Sequence, residues 1–150
     1  MLFRPAQLSD KPTLLAMEQA LVDAERPFDG DIKDDHCTYY DFDDLIPSDQ
    51  ACVLIIEDEG VAIGTGYVQL RQSKSALQHE RHGYMGCMYV APSHRGQGLI
   101  TQLIDQLVDW SKAQGVGTFY LDVYHDNASA VRAYEKLGFA PCLLEMKLHR

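Results

Sequence analysis

The stretch from Tyr84 to Tyr124 most constrains the fold. It opens with a short apolar run, "YMGCMYV", of strand character, and passes through "APSHRGQG" into a long amphipathic segment. From Gly98 onward, Leu99, Leu103, Leu107 and Trp110 recur at helical spacing, with Ile100, Ile104 and Val108 beside them. Gln102, Asp105, Gln106 and Asp109 face away, so the helix packs one side on a sheet. Gly115 stops it, and the β-branched and aromatic run "TFYLDVY" is the next strand. Strand, glycine turn, helix and strand make one βαβ unit.

The turn within that unit, "HRGQGL", invites a chemical reading. A helix start leaves its first N–H groups unpaired and carries partial positive charge, so glycines there let backbone donors approach a phosphate, and Arg95 adds a full charge. The same glycines also serve turn geometry alone. A P-loop or dinucleotide site finds little support, because the P-loop lysine and the GxGxxG pattern are both missing.

Around this unit, "LFRPA" reads as a strand. Ser9 is the expected cap of a following helix with Pro12 in its first turn and Leu14, Met17, Leu21 and Val22 on one face. "ACVLIIED" and "VAIGTGYVQLRQ" read as a hairpin joined at "DEG", with Gly64 and Gly66 marking a bulge. Residues 73–82 are a polar connection. A chain of 150 residues with 46% hydrophobic content suits one domain spanning 1–150.

No run approaches the roughly 18 apolar residues of a membrane span, and the start lacks a secretory pattern, so a soluble, cytoplasmic chain is expected. Cys37, Cys52, Cys87 and Cys142 are widely spaced and read as reduced thiols, not disulfides or zinc ligands. His79 and His82 have i, i+3 spacing but lack a third ligand, so no metal is expected.

A net charge of −9 argues against a nucleic-acid partner. Most of it lies in residues 25–49, where nine acids face only Arg26 and Lys33. Two readings fit this segment, a solvated surface or a funnel for a cationic substrate.

A second constellation follows the βαβ unit. In "HDNASAVRAYEKLGF", Asn127 is placed as the cap of a short helix and Gly138 as its stop, so Asn127 and Tyr134, seven residues apart, share a face. With "MYVAPSHRGQG" and "NASAVRAYEKLGF" in this order and spacing, the last 70 or so residues resemble the GNAT superfamily of acyl-CoA-dependent N-acetyltransferases. The first 70 agree in layout.

The resemblance implies an α/β (α+β) fold with a mixed, mainly antiparallel central sheet flanked by helices, and acetyl-CoA as co-substrate. It implies that Met88, Tyr89 and Val90 hold the pantetheine arm, with the Met88 N–H facing the thioester oxygen. Arg95, Gly96, Gln97, Gly98, Leu99, Ile100 and Thr101 match the diphosphate loop. Asn127 matches a residue that steadies the coenzyme, and Tyr134 matches the general acid for the departing thiolate.

Two positions depart from the family pattern. Ile100 stands where Gly or Ala is usual, so it must aim its side chain at the core and offer only its N–H. Gly86 and Cys87 stand where a carboxylate base is often found. An alkylammonium with a pKa near 10.4 costs about 4.6 kcal/mol to deprotonate at pH 7, so a proton acceptor is required. Glu145, on an expected last strand "CLLEMKL", is the candidate base, with Glu25, His82 and an ordered water as alternatives.

The resulting expectation is acetyl transfer to a primary amine, small and cationic, by direct attack in a ternary complex. A lysine or N-terminal amine of a protein is the nearest rival, and a non-catalytic acyl-CoA sensor the rival from another class. The family usually fits two strands after the last helix, whereas this chain has room for one. That strand would carry Cys142, Leu144, Met146 and Leu148 on one face. A homodimer is therefore expected, with residues 142–148 at or near the interface and Leu143 or Glu145 close to the acceptor groove; cover of this strand by the N-terminal half of the same chain is the alternative.

Overall fold

A computed structural model describes residues 1–150. Its five strands are β1 (Leu2–Pro5), β2 (Ala51–Asp58), β3 (Val61–Gln72), β4 (Arg81–Val90) and β5 (Phe119–Tyr120), ordered β1-β2-β3-β4-β5 in one sheet. The first three pairings are antiparallel and β4–β5 is parallel, giving the mixed, mainly antiparallel sheet expected from sequence. Helices α1 (Lys11–Glu25), α2 (Phe42–Leu45), α3 (Leu99–Lys112) and α4 (Ala128–Lys136) complete the chain. No helix is long and apolar enough to cross a membrane.

The β2–β3 hairpin turns on Glu59 and Gly60, both at positive φ (51° and 80°), which matches the twist of a two-residue hairpin turn. The sheet separates two cores. On one face, α3 buries Leu99, Leu103, Ile104 and Leu107 against Leu54, Ile56, Val68 and Met85. On the other, Leu14 of α1 and Phe42 and Leu45 of α2 pack with Val53, Ile55, Tyr67 and Cys87.

Three sequence expectations are corrected. Ser9 does not cap α1. It lies inside a single 3-10 turn, Leu8–Asp10, where the Asp10 carboxylate accepts the Gln7 N–H at 2.7 Å and takes over the role of organising the helix start. The strand expected over 118–124 is paired only at Phe119 and Tyr120, because β4 and β5 part after the Tyr84–Tyr120 pair. The strand expected over 142–148 is not formed: no backbone hydrogen bond involves residues 140–150, and the tail is exposed.

Candidate active site

The parting of β4 from β5 creates the site. Beyond Tyr84 and Tyr120 the edge of β4 from Met85 to Val90 is released from its parallel neighbour, so backbone groups at Met88, Tyr89 and Val90 border an open cleft. On its other side β4 slips register against β3: Thr65 pairs with Tyr89 and Tyr67 with Gly86, leaving Gly66 opposite both Cys87 and Met88. This is a β-bulge, and Cys87 within it takes a positive φ of 54°, rare for a residue with a Cβ. Gly66 is the glycine the bulge requires, since a Cβ there would meet Met88 Sδ and Leu103 Cδ2 at 2.6 Å.

The glycine turn sits at the end of the same strand. Gly96 and Gly98 both adopt positive φ (77° and 75°), and Gly98 opens α3 with no side chain capping its N–H groups. A Cβ on either glycine would meet nothing within 4 Å, so the turn is open to an outside group. Leu99 is buried and Ile100 packs half-buried on the α3 core, so both can serve a ligand only through the backbone, while Gln97 and Thr101 are exposed. Uncapped helical donors in an open glycine turn suit an anion such as a diphosphate.

Three contacts fix this turn. Arg95 Nε donates to the Val90 carbonyl at 2.8 Å, with its guanidinium carbon 5.9 Å from the Tyr89 ring centre. His94 Nε2 meets Asp58 Oδ2 at 2.8 Å, tying the turn to the β2–β3 hairpin, and Ala91 donates its N–H to Ile63 at 2.7 Å.

Helix α4 follows β5, and Leu137 and Phe139 after it pack against the α3 core. Asn127 Oδ1 accepts the Ala130 N–H at 3.3 Å, so the cap is made and the amide nitrogen stays available. Tyr134 stacks edge-on against Phe139 with centroids 5.8 Å apart. Burial pushes the Tyr134 phenol above its ordinary pKa, and the charge of Glu25 adds to the shift. Glu25, half-buried at the end of α1, is itself raised by burial, with the Tyr39 phenol partly offsetting this and Asp29 reinforcing it.

The acidic segment continues from Glu25, and several of its acids have defined structural partners. Asp41 caps α2 by accepting the Asp44 N–H at 3.2 Å, and Asp43 pairs with Lys11 at 2.6 Å. Asp29 accepts the Asp31 N–H, the Lys147 ammonium at 3.0 Å and the Tyr124 hydroxyl at 2.8 Å, which together hold its carboxyl down at about 2. Asp31 also meets Lys147 at 3.0 Å and His149 at 3.0 Å.

Of the residues singled out from sequence, the structure puts Glu25 near enough for its charge to act on Tyr134 and leaves Glu145 exposed on the tail instead of on a strand. His82 and His79 meet elsewhere, each presenting Nδ1 to Ser73 Oγ at 2.9 and 2.7 Å, with His79 Nε2 3.0 Å from the Tyr120 hydroxyl. Glu18 was missed, although it sits i+4 from Leu14 and i−4 from Val22 on the apolar face of α1. A carboxyl at a core position was the available signal.

With this geometry in place, relatives can be set beside the chain. The acetyltransferase (GNAT) family model matches residues 16–139, and the chain belongs to this family of acetyl-CoA-dependent transferases. It is 39% identical over 61 residues to a streptothricin acetyltransferase of Streptomyces lavendulae, covering 41% of this chain and 32% of that protein. The chain thus spans about a third of the length of such curated relatives. A variant of the BH1408 protein from Bacillus halodurans shares the fold at a TM-score of 0.89 with 22% identity, over 100% of this chain and 99% of that one. A predicted acetyltransferase from Clostridium acetobutylicum, solved with acetyl-CoA, superposes at 0.77 with 20% identity, over 99% and 95% of the two chains.

Proposed function

We propose that the protein transfers the acetyl group of acetyl-CoA to a primary amine, small and cationic, by direct attack in a ternary complex. The observation that carries this reading is the β4 edge that parts from β5 and runs into an uncapped glycine turn at the start of α3. In this reading the turn from Arg95 to Thr101 holds the diphosphate, the backbone of Met88, Tyr89 and Val90 holds the pantetheine arm, and the Asn127 amide steadies the coenzyme. The Met88 N–H faces the thioester oxygen and stabilises the charge that develops there.

The proton steps fall to two side chains. Glu25 accepts a proton from the acceptor ammonium. As the new C–N bond forms and the C–S bond breaks, Tyr134 donates its hydroxyl proton to the departing sulfur, and the second nitrogen proton, released as the amide forms, restores the phenol. Glu25 replaces Glu145 in the role of base because it is half-buried, raised by burial and close enough to influence Tyr134. The raised carboxyl is a stronger base, which suits its task, and a phenol holds its proton at neutral pH until the sulfur departs.

A cationic acceptor is supported by the carboxylates of Glu25, Asp29 and Asp31. The chain's own Lys147 ammonium rests there between two carboxylates, in the manner of an alkylammonium guest. Likeness to a streptothricin acetyltransferase supports a small molecule, while 42% identity over 50 residues to a ribosomal-protein alanine N-acetyltransferase of Escherichia coli keeps a protein N-terminus as the rival. A cytoplasmic setting goes with this reading, since all four cysteines are free thiols. A homodimer goes with it too, because the tail exposes a row of apolar side chains.

Titration calorimetry with acetyl-CoA followed by thiol-release assays over an amine panel tests the proposal. Binding with turnover on small cationic amines is the expected result. Turnover only on protein termini or lysines would move the acceptor class, and binding without turnover on any amine would make the chain a sensor.

A further inference from the structure

The bulge beneath the cleft is held from outside the sheet. Glu18 is 1% exposed on α1, and its Oε2 accepts the backbone N–H groups of both Tyr39 and Tyr40 at 2.9 Å. That double contact fixes the connection between α1 and α2 over the sheet. The Tyr40 ring then packs edge-on against Tyr67 at 5.4 Å and near Phe42 at 6.0 Å, leaving its side chain one position to occupy. In that position the Tyr40 hydroxyl oxygen accepts the Cys87 N–H at 3.2 Å.

Cys87 is the residue whose φ is positive and whose place in the β3–β4 ladder the bulge displaces. It is 3% exposed, so its displaced N–H needs a partner within the protein. The phenol supplies that partner. A left-handed backbone at a residue with a Cβ persists only where its surroundings hold it. The next residue is Met88.

We propose that Tyr40, locked in place by Glu18, is a positioning residue that holds the Cys87–Met88 bulge in register so that the Met88 N–H meets the thioester oxygen. This rests on the assignment of Met88 in the proposed function. It makes α1 part of the catalytic geometry through a chain of contacts from Glu18 to the Tyr39–Tyr40 backbone, the Tyr40 hydroxyl and the Cys87 N–H. The phenol itself need not touch the reacting atoms.

Tyr40→Phe keeps the ring and removes only the acceptor. The expected result is a kcat lowered about 10-fold or more, with acetyl-CoA Kd and amine KM within about threefold, and faster hydrogen exchange at the Cys87 amide. Adding Cys87→Gly, which relaxes the demand for positive φ, should return part of the lost kcat, which a mere packing defect would not do. Unchanged exchange at Cys87 would overturn the Tyr40 contact. Faster exchange with unchanged kcat would overturn the Met88 assignment and the proposal with it. Should the variant not fold, exchange in the wild-type chain still decides: the Cys87 amide is expected to be as protected as core amides of β3, and fast exchange there sinks the proposal.

Discussion

The Tyr67 hydroxyl lies across Gly86. A Cβ at position 86 would meet that oxygen at 2.7 Å and the ring carbons at 2.8 and 2.9 Å. The two residues are cross-strand partners on β3 and β4, and Tyr67 is 3% exposed, so the ring has nowhere to retreat. This explains a departure noted in the sequence: a phenol from the neighbouring strand fills the space that a β4 carboxylate would need. A proton acceptor must then come from another element, and the end of α1 offers Glu25.

Gly86→Ala should therefore destabilise the fold by roughly 1–3 kcal/mol through overpacking, even though alanine also restricts the unfolded chain. Denaturant midpoints at constant slope measure this. A midpoint equal to that of the wild type would mean that Tyr67 does not crowd this strand.

Tyr134→Phe removes one hydroxyl and keeps the ring that stacks on Phe139. With the phenol as general acid, kcat should fall about 100-fold while coenzyme affinity changes little. A kcat within threefold of the wild type would leave the proton for the departing sulfur without this donor.

The pH profile carries the signature of Glu25. Its folded-state pKa is raised by burial, so the acid limb of kcat/KM should lie above the ordinary glutamate value, and Glu25→Gln should abolish that limb along with most of the rate. The linkage to stability has a definite sign. A raised folded pKa favours the native state below the unfolded pKa, and that contribution is lost as the pH rises through the folded value. Glutamine stays neutral, so Glu25→Gln should be at least as stable as the wild type at neutral pH and gain nothing at acid pH. Thermal melts across this range check the sign, and a variant less stable at neutral pH would contradict it.

Much of the frame was legible because local chemistry agreed with tertiary placement. Leu99, Leu103 and Leu107 at helical spacing predicted the buried face of α3, and Gly115 and Gly138 marked helix ends, both at positive φ in the structure. Asn127 was legible as a cap for the same reason. What could not be read was long-range. Glu18 gains its meaning from backbone groups more than 20 positions away, and the Cys87 bulge depends on a register slip between strands. The strand periodicity of "CLLEMKL" is real, but a strand needs a neighbour, and none pairs with it within this chain.

At the turn, Gly98→Val tests the diphosphate loop. No protein atom obstructs a Cβ at 98, so loss of binding would come from the demand for positive φ and from crowding of the ligand. Acetyl-CoA affinity should weaken 10-fold or more, about 1.4 kcal/mol, by calorimetry. A folded variant with unchanged affinity would remove the turn from the binding site.

The tail makes the final prediction. Leu143, Leu144, Met146 and Leu148 are 85%, 65%, 84% and 75% exposed, while the only polar ties near the end are Lys147 and His149 to Asp29 and Asp31. Ion pairs between exposed groups contribute little, roughly 0–1 kcal/mol each, and do not compensate for a row of wetted apolar side chains beside unpaired backbone. Residues 121–124 of the same chain also lie beyond the last paired position of β5, so strand edge and tail are both left open. A second copy satisfies the two at once if its tail pairs along this edge, burying the leucines and completing the sheet. Light scattering at micromolar concentration should then give twice 16.9 kDa. Leu144→Asp with Met146→Asp should shift the population to monomer, and a clean monomer mass for the wild-type chain would refute the dimer outright.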